Sequence, residues 1–438
     1  MSSWGESAVR AAGCGGGAVG AGSAVAVVAV SSAMEQAPLW RNRDFMLLQS
    51  GQLLSTFGSS LSGIAYPLLA LVLTGSAAKT GYVGAVELAP IVLLSVAAGL
   101  AADRFDRRRL MICSDVLGAS AVGVLAAAVL THHAAFWLVL AVAFADTTAS
   151  VVFRAGNSGA FKAVVPAAQL ADASSVSMAR TSTVRLTAPP VGGALFGVLH
   201  GLPFLADALS YACSTGALLL MRTRFQEKRE PGARVDLREG LTYFWRIPFL
   251  RTTIGMIAAS NVAATGVPVA VIVLAHRRGL SSAAIGGAVA LTGVTLLAGS
   301  LLSPLLRRVL PMRAVLLGEF WSALVYAAFL AHPSVYVLVA ALAVHAFWFP
   351  NTDSAVQAYS YALIPDRLLG RAMAASNTLR ALSAPLGPLV AGLLLTYTSP
   401  RTAIAVLAAP VILAAVLGTV SSTLRDLPDL SGNRSPVG

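Results

Sequence analysis

Gly99-Leu100-Ala101-Ala102-Asp103-Arg104-Phe105-Asp106-Arg107-Arg108 places five charged residues in ten positions, and Arg109 follows. On both sides the chain turns apolar, over residues 80–101 and 110–131. Each flank is close to the roughly 20 apolar residues needed to cross the hydrocarbon of a bilayer. The charged stretch therefore reads as a water-facing turn between two membrane helices. The same reading, extended in both directions, decides the fold class.

The chain is 56% hydrophobic and 11% charged, whereas a soluble domain carries about 25% charge. So little charge cannot keep 438 residues in water, so lipid is the solvent for much of the surface. The formal charge of +12 fits cytoplasmic loops facing anionic lipid and does not imply a nucleic-acid partner. Cys14, Cys113 and Cys213 form neither a disulfide framework nor a metal-ligand spacing.

From Phe45 to Ala78 the chain carries no charge, and apolar stretches of spanning length then recur. They predict helices near 45–74, 80–101, 110–131, 134–156, 170–199 and 202–221. Six more are expected near 250–275, 281–305, 313–331, 334–361, 372–398 and 402–424. The expected fold is thus all-α, with twelve transmembrane helices. Residues 1–39, rich in Ala, Gly, Ser and Val, read as a disordered or mis-started tail, with Met34 as an alternative start.

With the N-terminus inside, inner loops hold 22 Lys and Arg residues. Outer loops hold only Lys79, Arg277, Arg278 and Arg401. This bias places both termini in the cytoplasm. An internal repeat supports an even division: Val165-Pro166 and Ile364-Pro365 lie 199 residues apart, and Pro189/Pro388 and Gly193/Gly392 share that offset. Two six-helix halves, 40–221 and 249–424, would be joined by a central cytoplasmic loop at 222–248 and followed by a tail at 425–438.

The decapeptide resembles the loop signature of the major facilitator superfamily, G-x-L-A-D-R-x-G-R-R, with Ala101 for the leucine and Asp106 for the second glycine. Ala188-Pro189-Pro190-Val191-Gly192-Gly193 resembles the antiporter signature of that superfamily's drug exporters, with Ala188 for its first glycine. Leu39-Trp40-Arg41-Asn42-Arg43-Asp44-Phe45, Pro203-Phe204-Leu205-Ala206-Asp207-Ala208-Leu209-Ser210-Tyr211 and Pro365-Asp366-Arg367-Leu368-Leu369-Gly370-Arg371 are similar to the enterobactin-exporter and macrolide-efflux branch. Together the resemblance covers about residues 39 to 424 and implies proton-driven secondary efflux. It also implies a gate around Gly99, Asp103, Arg104, Arg107, Arg108 and Asp115. Gly99 would allow close helix approach, and Asp115 would pair with Arg104 or Arg107 or take part in coupling.

Charges at bilayer depth are costly and need a reason. Asp146 and Arg185 fall near mid-depth on the fourth and fifth spans. Arg154 lies two turns from Asp146, and Arg180 lies nearer the cytoplasm. Asp146 and Glu87 are the expected proton carriers, with Arg185 as the cation that competes with the proton for Asp146. Gln49, Gln52, Asn261, Trp348, Asn351, Asp353 and Gln357 would line a cavity for an amphiphilic cargo. Pro189, Pro190, Gly192 and Gly193 would shape the fifth helix.

Six histidines form no H-E-x-x-H, and Lys79-Thr80 lacks the glycines of a phosphate loop. Neither a metal, a cofactor nor an enzyme chemistry is expected. The expected protein is a monomeric carrier in the cell membrane. It would export a hydrophobic or amphiphilic small molecule, such as an antibiotic, a siderophore or another secondary metabolite, in exchange for protons. An uptake carrier of the same fold and a non-transporting membrane receptor or scaffold remain the alternatives.

Overall fold

The structure is a computed structural model that describes residues 38–223, 225, 242 and 245–425, with backbone alone at 366, 367, 370, 371 and 374. Most of the expected N-terminal tail lies outside the described residues. So do Arg224, Lys228, Arg229, Arg234 and Arg238 of the central loop, Arg434, and the side chains of Arg367 and Arg371.

The described chain is helical: α1 Arg43–Thr74, α2 Ala77–Arg104, α3 Arg107–Leu130, α4 Phe136–Val164, α5 Leu170–Val198 and α6 Leu202–Leu220. After the central segment come α7 Pro248–Arg277, α8 Ser282–Val309, α9 Met312–Ala331 and α10 Val335–Leu363. Then follow α11, in two pieces Asp366–Ser383 and Leu386–Tyr397, and α12 Pro400–Val420. Among the described residues, 11 helices are long and apolar enough to cross a membrane. α5 is not one of them: it is 29 residues long but carries Asp172, Arg180 and Arg185 among several Ser and Thr.

Helix ends follow local chemistry. Asn42, Ser76, Asp106, Ser281 and Ser399 each cap a helix by accepting a backbone N–H three residues on, at 3.1, 3.4, 2.8, 3.3 and 3.2 Å. Asp106 explains a departure from the loop signature: a capping carboxylate starts α3 where the family pattern has glycine. Its φ of −60° needs no left-handed backbone. α4 runs eight residues past its expected end, because the chain stays helical until Val165-Pro166. α11 breaks between Ser383 and Leu386, at Pro385.

The repeat is visible in the backbone. Val165 has φ/ψ of −101°/124° and Ile364 has −102°/124°. The prolines that follow stand at −57°/143° and −59°/142°. Both X-Pro pairs end a helix because proline pushes the preceding residue into extended backbone.

In the first half of the chain, α1 packs along α6 and α5, while α4 packs against α2 and α3. In the second half, α10 packs against α8 and α9, and α7 against α11 and α12. The main contacts between these groups are α5 on α8 and α2 on α11. Both crossings are built on glycine. A Cβ on Gly193 would come closer than 3.0 Å to the Ser282 carbonyl oxygen, and one on Gly286 equally close to that of Pro189. Gly81 faces the Pro388 carbonyl oxygen and Gly392 that of Ala77 in the same way. Backbone meets backbone at both places, a packing open only to residues without a side chain. Both crossings lie toward the end of the molecule that carries the α1–α2 and α7–α8 connections.

Candidate functional site

A cavity of about 460 Å³ opens among α1, α4, α5 and α6. α1 contributes Gln52, Ser55, Thr56, Ser59 and Ser60, one polar side of a helix whose other side is core. α4 contributes Ser150, Phe153, Arg154 and Asn157, and α5 contributes Arg180, Thr181, Val184 and Arg185. Tyr211 of α6 closes one wall. Gln52 donates to Asn157, joining α1 to α4. Arg180 donates to the Gln49 side-chain oxygen Oε1 at 2.7 Å, and the Gln49 side-chain amide in turn donates to Ser177 Oγ at 2.7 Å.

Behind the Tyr211 wall lies a buried acidic cluster. Asp146, 5% exposed, accepts from Tyr211 Oη at 2.7 Å and from Tyr66 Oη at 2.9 Å. Asp207 is fully buried and accepts from Ser59 and Ser210, each at 3.3 Å. Glu87 packs against Gly63 of α1, within electrostatic reach of Asp146. Tyr211 and Ser59 therefore touch both the cavity and a buried carboxylate.

The fold has solved counterparts. A bacterial homologue of the human lysosomal transporter Spinster, inward-facing and occupied, superposes with a TM-score of 0.70 at 14% identity, over 92% of this chain and 100% of that one. The nucleoside transporter NupG gives 0.69 at 14% identity, over 87% and 100%. At these identities the likeness is one of fold. The sequence goes further: the MFS family model described as "Transmembrane secretion effector" matches residues 33–433. The chain belongs to this family of membrane transporters.

Among related proteins, the multidrug efflux pump Tap of Mycolicibacterium fortuitum is 24% identical, over 87% of this chain and 96% of that one. The MFS-type transporter YfiS of Bacillus subtilis is 26% identical over 51% of this chain. Macrolide efflux protein A of Streptococcus pyogenes is 25% identical over 38%. The matched region spans 54% of YfiS and 53% of the Tap pump of Mycobacterium tuberculosis, about half the length of each. The protein is thus a multi-pass membrane protein of the transmembrane secretion effector family.

The secretion-effector fold sorts the residues expected from sequence. Gln52 lines the cavity, and Gln49 holds Arg180 at its edge. Asp146 and Arg185 are not partners: Asp146 is held by two tyrosines, whereas Arg185 faces the cavity from α5. The expected cavity residues of the second half make these contacts. Asn261 donates to the Arg380 carbonyl oxygen at 2.9 Å. Asn351 is fully buried and donates to Phe347 O at 2.9 Å. Trp348 lies over Gly318 of α9, and Asp353 accepts from Arg380 and, at 2.7 Å, from Gln357.

At the loop, a Cβ on Gly99 would meet nothing within 4 Å, so no close helix approach is made there. Arg108 instead donates to the Leu219 carbonyl oxygen in the last turn of α6 at 2.9 Å, and Arg107 to the Phe225 carbonyl oxygen beyond that helix at 3.5 Å. Arg104 and Asp103 are exposed. Asp115 is fully buried beside Ser214 and makes no ion pair with Arg104 or Arg107. The motif around Pro189, Pro190, Gly192 and Gly193 acts as a packing surface. Gly192 meets Leu61 and Ile64 of α1, and Gly193 meets α8.

One cluster was not expected from the sequence. Glu319 of α9 accepts from Ser260 of α7, and His345 of α10 lies between Ser260 and Ser322, each hydroxyl 3.2 Å from a ring nitrogen. His345 Nε2 stands 4.0 Å from Glu319 Oε1, and both side chains are buried. The signal was His345 itself, the one histidine away from a helix end.

Proposed function

We propose that the protein is a secondary active exporter of amphiphilic small molecules, driven by proton antiport and cycling by alternating access. In this reading α5 is a twelfth crossing, its polarity tolerated because it faces the cavity rather than lipid. Both termini are cytoplasmic, and the halves 40–221 and 249–424 rock as two bodies around the segment 222–248, in a monomer. The positive-inside bias puts the glycine crossings on the outer side, so the conformation described is closed outward.

The observation that carries the reading is the coupling of cavity to carboxylate through Tyr211. A group that lines the cavity donates to Asp146, so cargo and proton can sense one another through one hydroxyl. Asp146 is the proposed proton carrier and Glu87 its neighbour. The relatives named as efflux pumps support the outward direction. The α2–α3 turn, with Asp103, Arg104, Arg107 and Arg108, is the proposed inner gate.

Accumulation of a panel of fluorescent amphiphiles in cells with and without the gene tests the reading. Lower accumulation, restored by dissipating the proton gradient, is the expected result. Higher accumulation with the gene would make the protein an uptake carrier, and no change for any compound would remove transport of this class.

A further inference from the structure

The cavity holds three guanidinium groups and no carboxylate of its own. Arg154 comes from α4, and Arg180 and Arg185 from α5. None forms an ion pair among the described residues, although Asp146 and Asp207 lie one hydroxyl away. Both carboxylates are turned into the protein toward Tyr66, Tyr211, Ser59 and Ser210. Arg180 is oriented by Gln49, a neutral partner, and its Nε has no acceptor.

Arginines within the span of a membrane helix are expensive unless something neutralises them. The second half of the chain meets that cost internally, by pairing Arg380 with Asp353. The first half leaves its cations facing an open volume. A planar guanidinium matches carboxylate, sulfonate and phosphate oxygens with paired hydrogen bonds. Phe153, Val184 and the Tyr211 ring supply apolar wall beside them.

We infer that the cavity takes an organic anion: an apolar or aromatic body with one anionic group, bound by Arg154, Arg180 and Arg185. This rests on the export reading for its consequence but not for its test. It narrows the cargo from amphiphiles in general to those of negative charge, and it gives the three arginines a role that pairing with Asp146 does not. Asn157, joined to Gln52, offers a further polar contact at the α4 edge.

The test is equilibrium binding to the full-length protein in nanodiscs of zwitterionic lipid, with empty nanodiscs subtracted. The probes are pyrenebutyrate and pyrenebutyl-trimethylammonium, which share a body and differ in charge. The anion is expected to bind about tenfold or more tightly than the cation, and Arg154→Gln and Arg185→Gln each to weaken the anion alone by about tenfold. Equal or tighter binding of the cation, or no binding of the anion, overturns the inference, and the wild-type comparison stands whether or not a variant folds. Failure here leaves export to the cell accumulation panel. Cells that accumulate every panel compound equally, beside clear anion binding, would remove export and leave the anion site.

Discussion

The two halves of the chain handle buried charge in opposite ways. Around α7, α9, α10 and α11 polar groups are satisfied within the protein: Asp353 pairs with Arg380, and Glu319 and His345 share the Ser260 hydroxyl. Around α1, α4, α5 and α6 opposite charges are held apart, with carboxylates behind a wall of hydroxyls and arginines in front of it. Paired charges neutralise one another and tie helices together, at the cost of being unavailable to anything else. Separated charges cost stability and keep their valence for a ligand or a proton. The second half thus has the electrostatics of a support, and the first half those of a working site.

The largest effect is expected where the two regions meet. Gly286→Leu would drive a side chain into the Pro189 carbonyl, and overpacking of about 1–3 kcal/mol would act against the closed outer crossing. Transport by reconstituted protein should fall by about tenfold or more, while expression in the membrane is kept. Wild-type rates would show that the crossing need not close.

Within the supporting half, His345→Ala removes a buried ring and contacts to Ser260 and Ser322. Thermal unfolding in detergent should show a loss of about 2–4 kcal/mol. A smaller loss, of about 1–2 kcal/mol, is expected for Arg380→Gln, because the pair it breaks is partly open to solvent, at 18% and 26% exposure. Arg185→Gln in the working half should stay within about 0.5 kcal/mol of wild type, since no protein partner is lost. A destabilisation by Arg185→Gln as large as that of Arg380→Gln would break the comparison.

The smallest effect is expected at Gly99. With nothing within 4 Å of a Cβ there, Gly99→Ala should leave both stability and transport near wild type. A strong transport defect would show that α2 packs closely at this point in another state.

Sequence reading placed the spans, because hydropathy reports depth in the bilayer and the charged stretches between them mark the turns. It found Arg154, Arg180 and Arg185 as charges at depth. It did not find what they face, because a helix that is apolar nearly all round carries little information about azimuth. For this reason Asp146 was matched with Arg185, whereas its partners are Tyr66 and Tyr211, 80 and 65 residues away in sequence. The contacts of Trp348, Asn351 and Gln357 were illegible for the same reason: Trp348 meets Gly318 of α9, and Asn351 and Gln357 donate along their own helix. The Glu319–His345 cluster draws on three helices, so no spacing within one segment announced it.

The central claim is that the proton is carried in the first half of the chain and not in the second. Cargo flux and proton flux measured together in proteoliposomes, for Asp146→Asn and Glu319→Gln at equal reconstitution, test it most directly. The account predicts that Asp146→Asn still exchanges cargo across the membrane but gains nothing from a proton gradient and moves no protons. It predicts that Glu319→Gln, which keeps an acceptor for Ser260, retains gradient-driven transport. Gradient-driven transport kept by Asp146→Asn and lost in Glu319→Gln would contradict it.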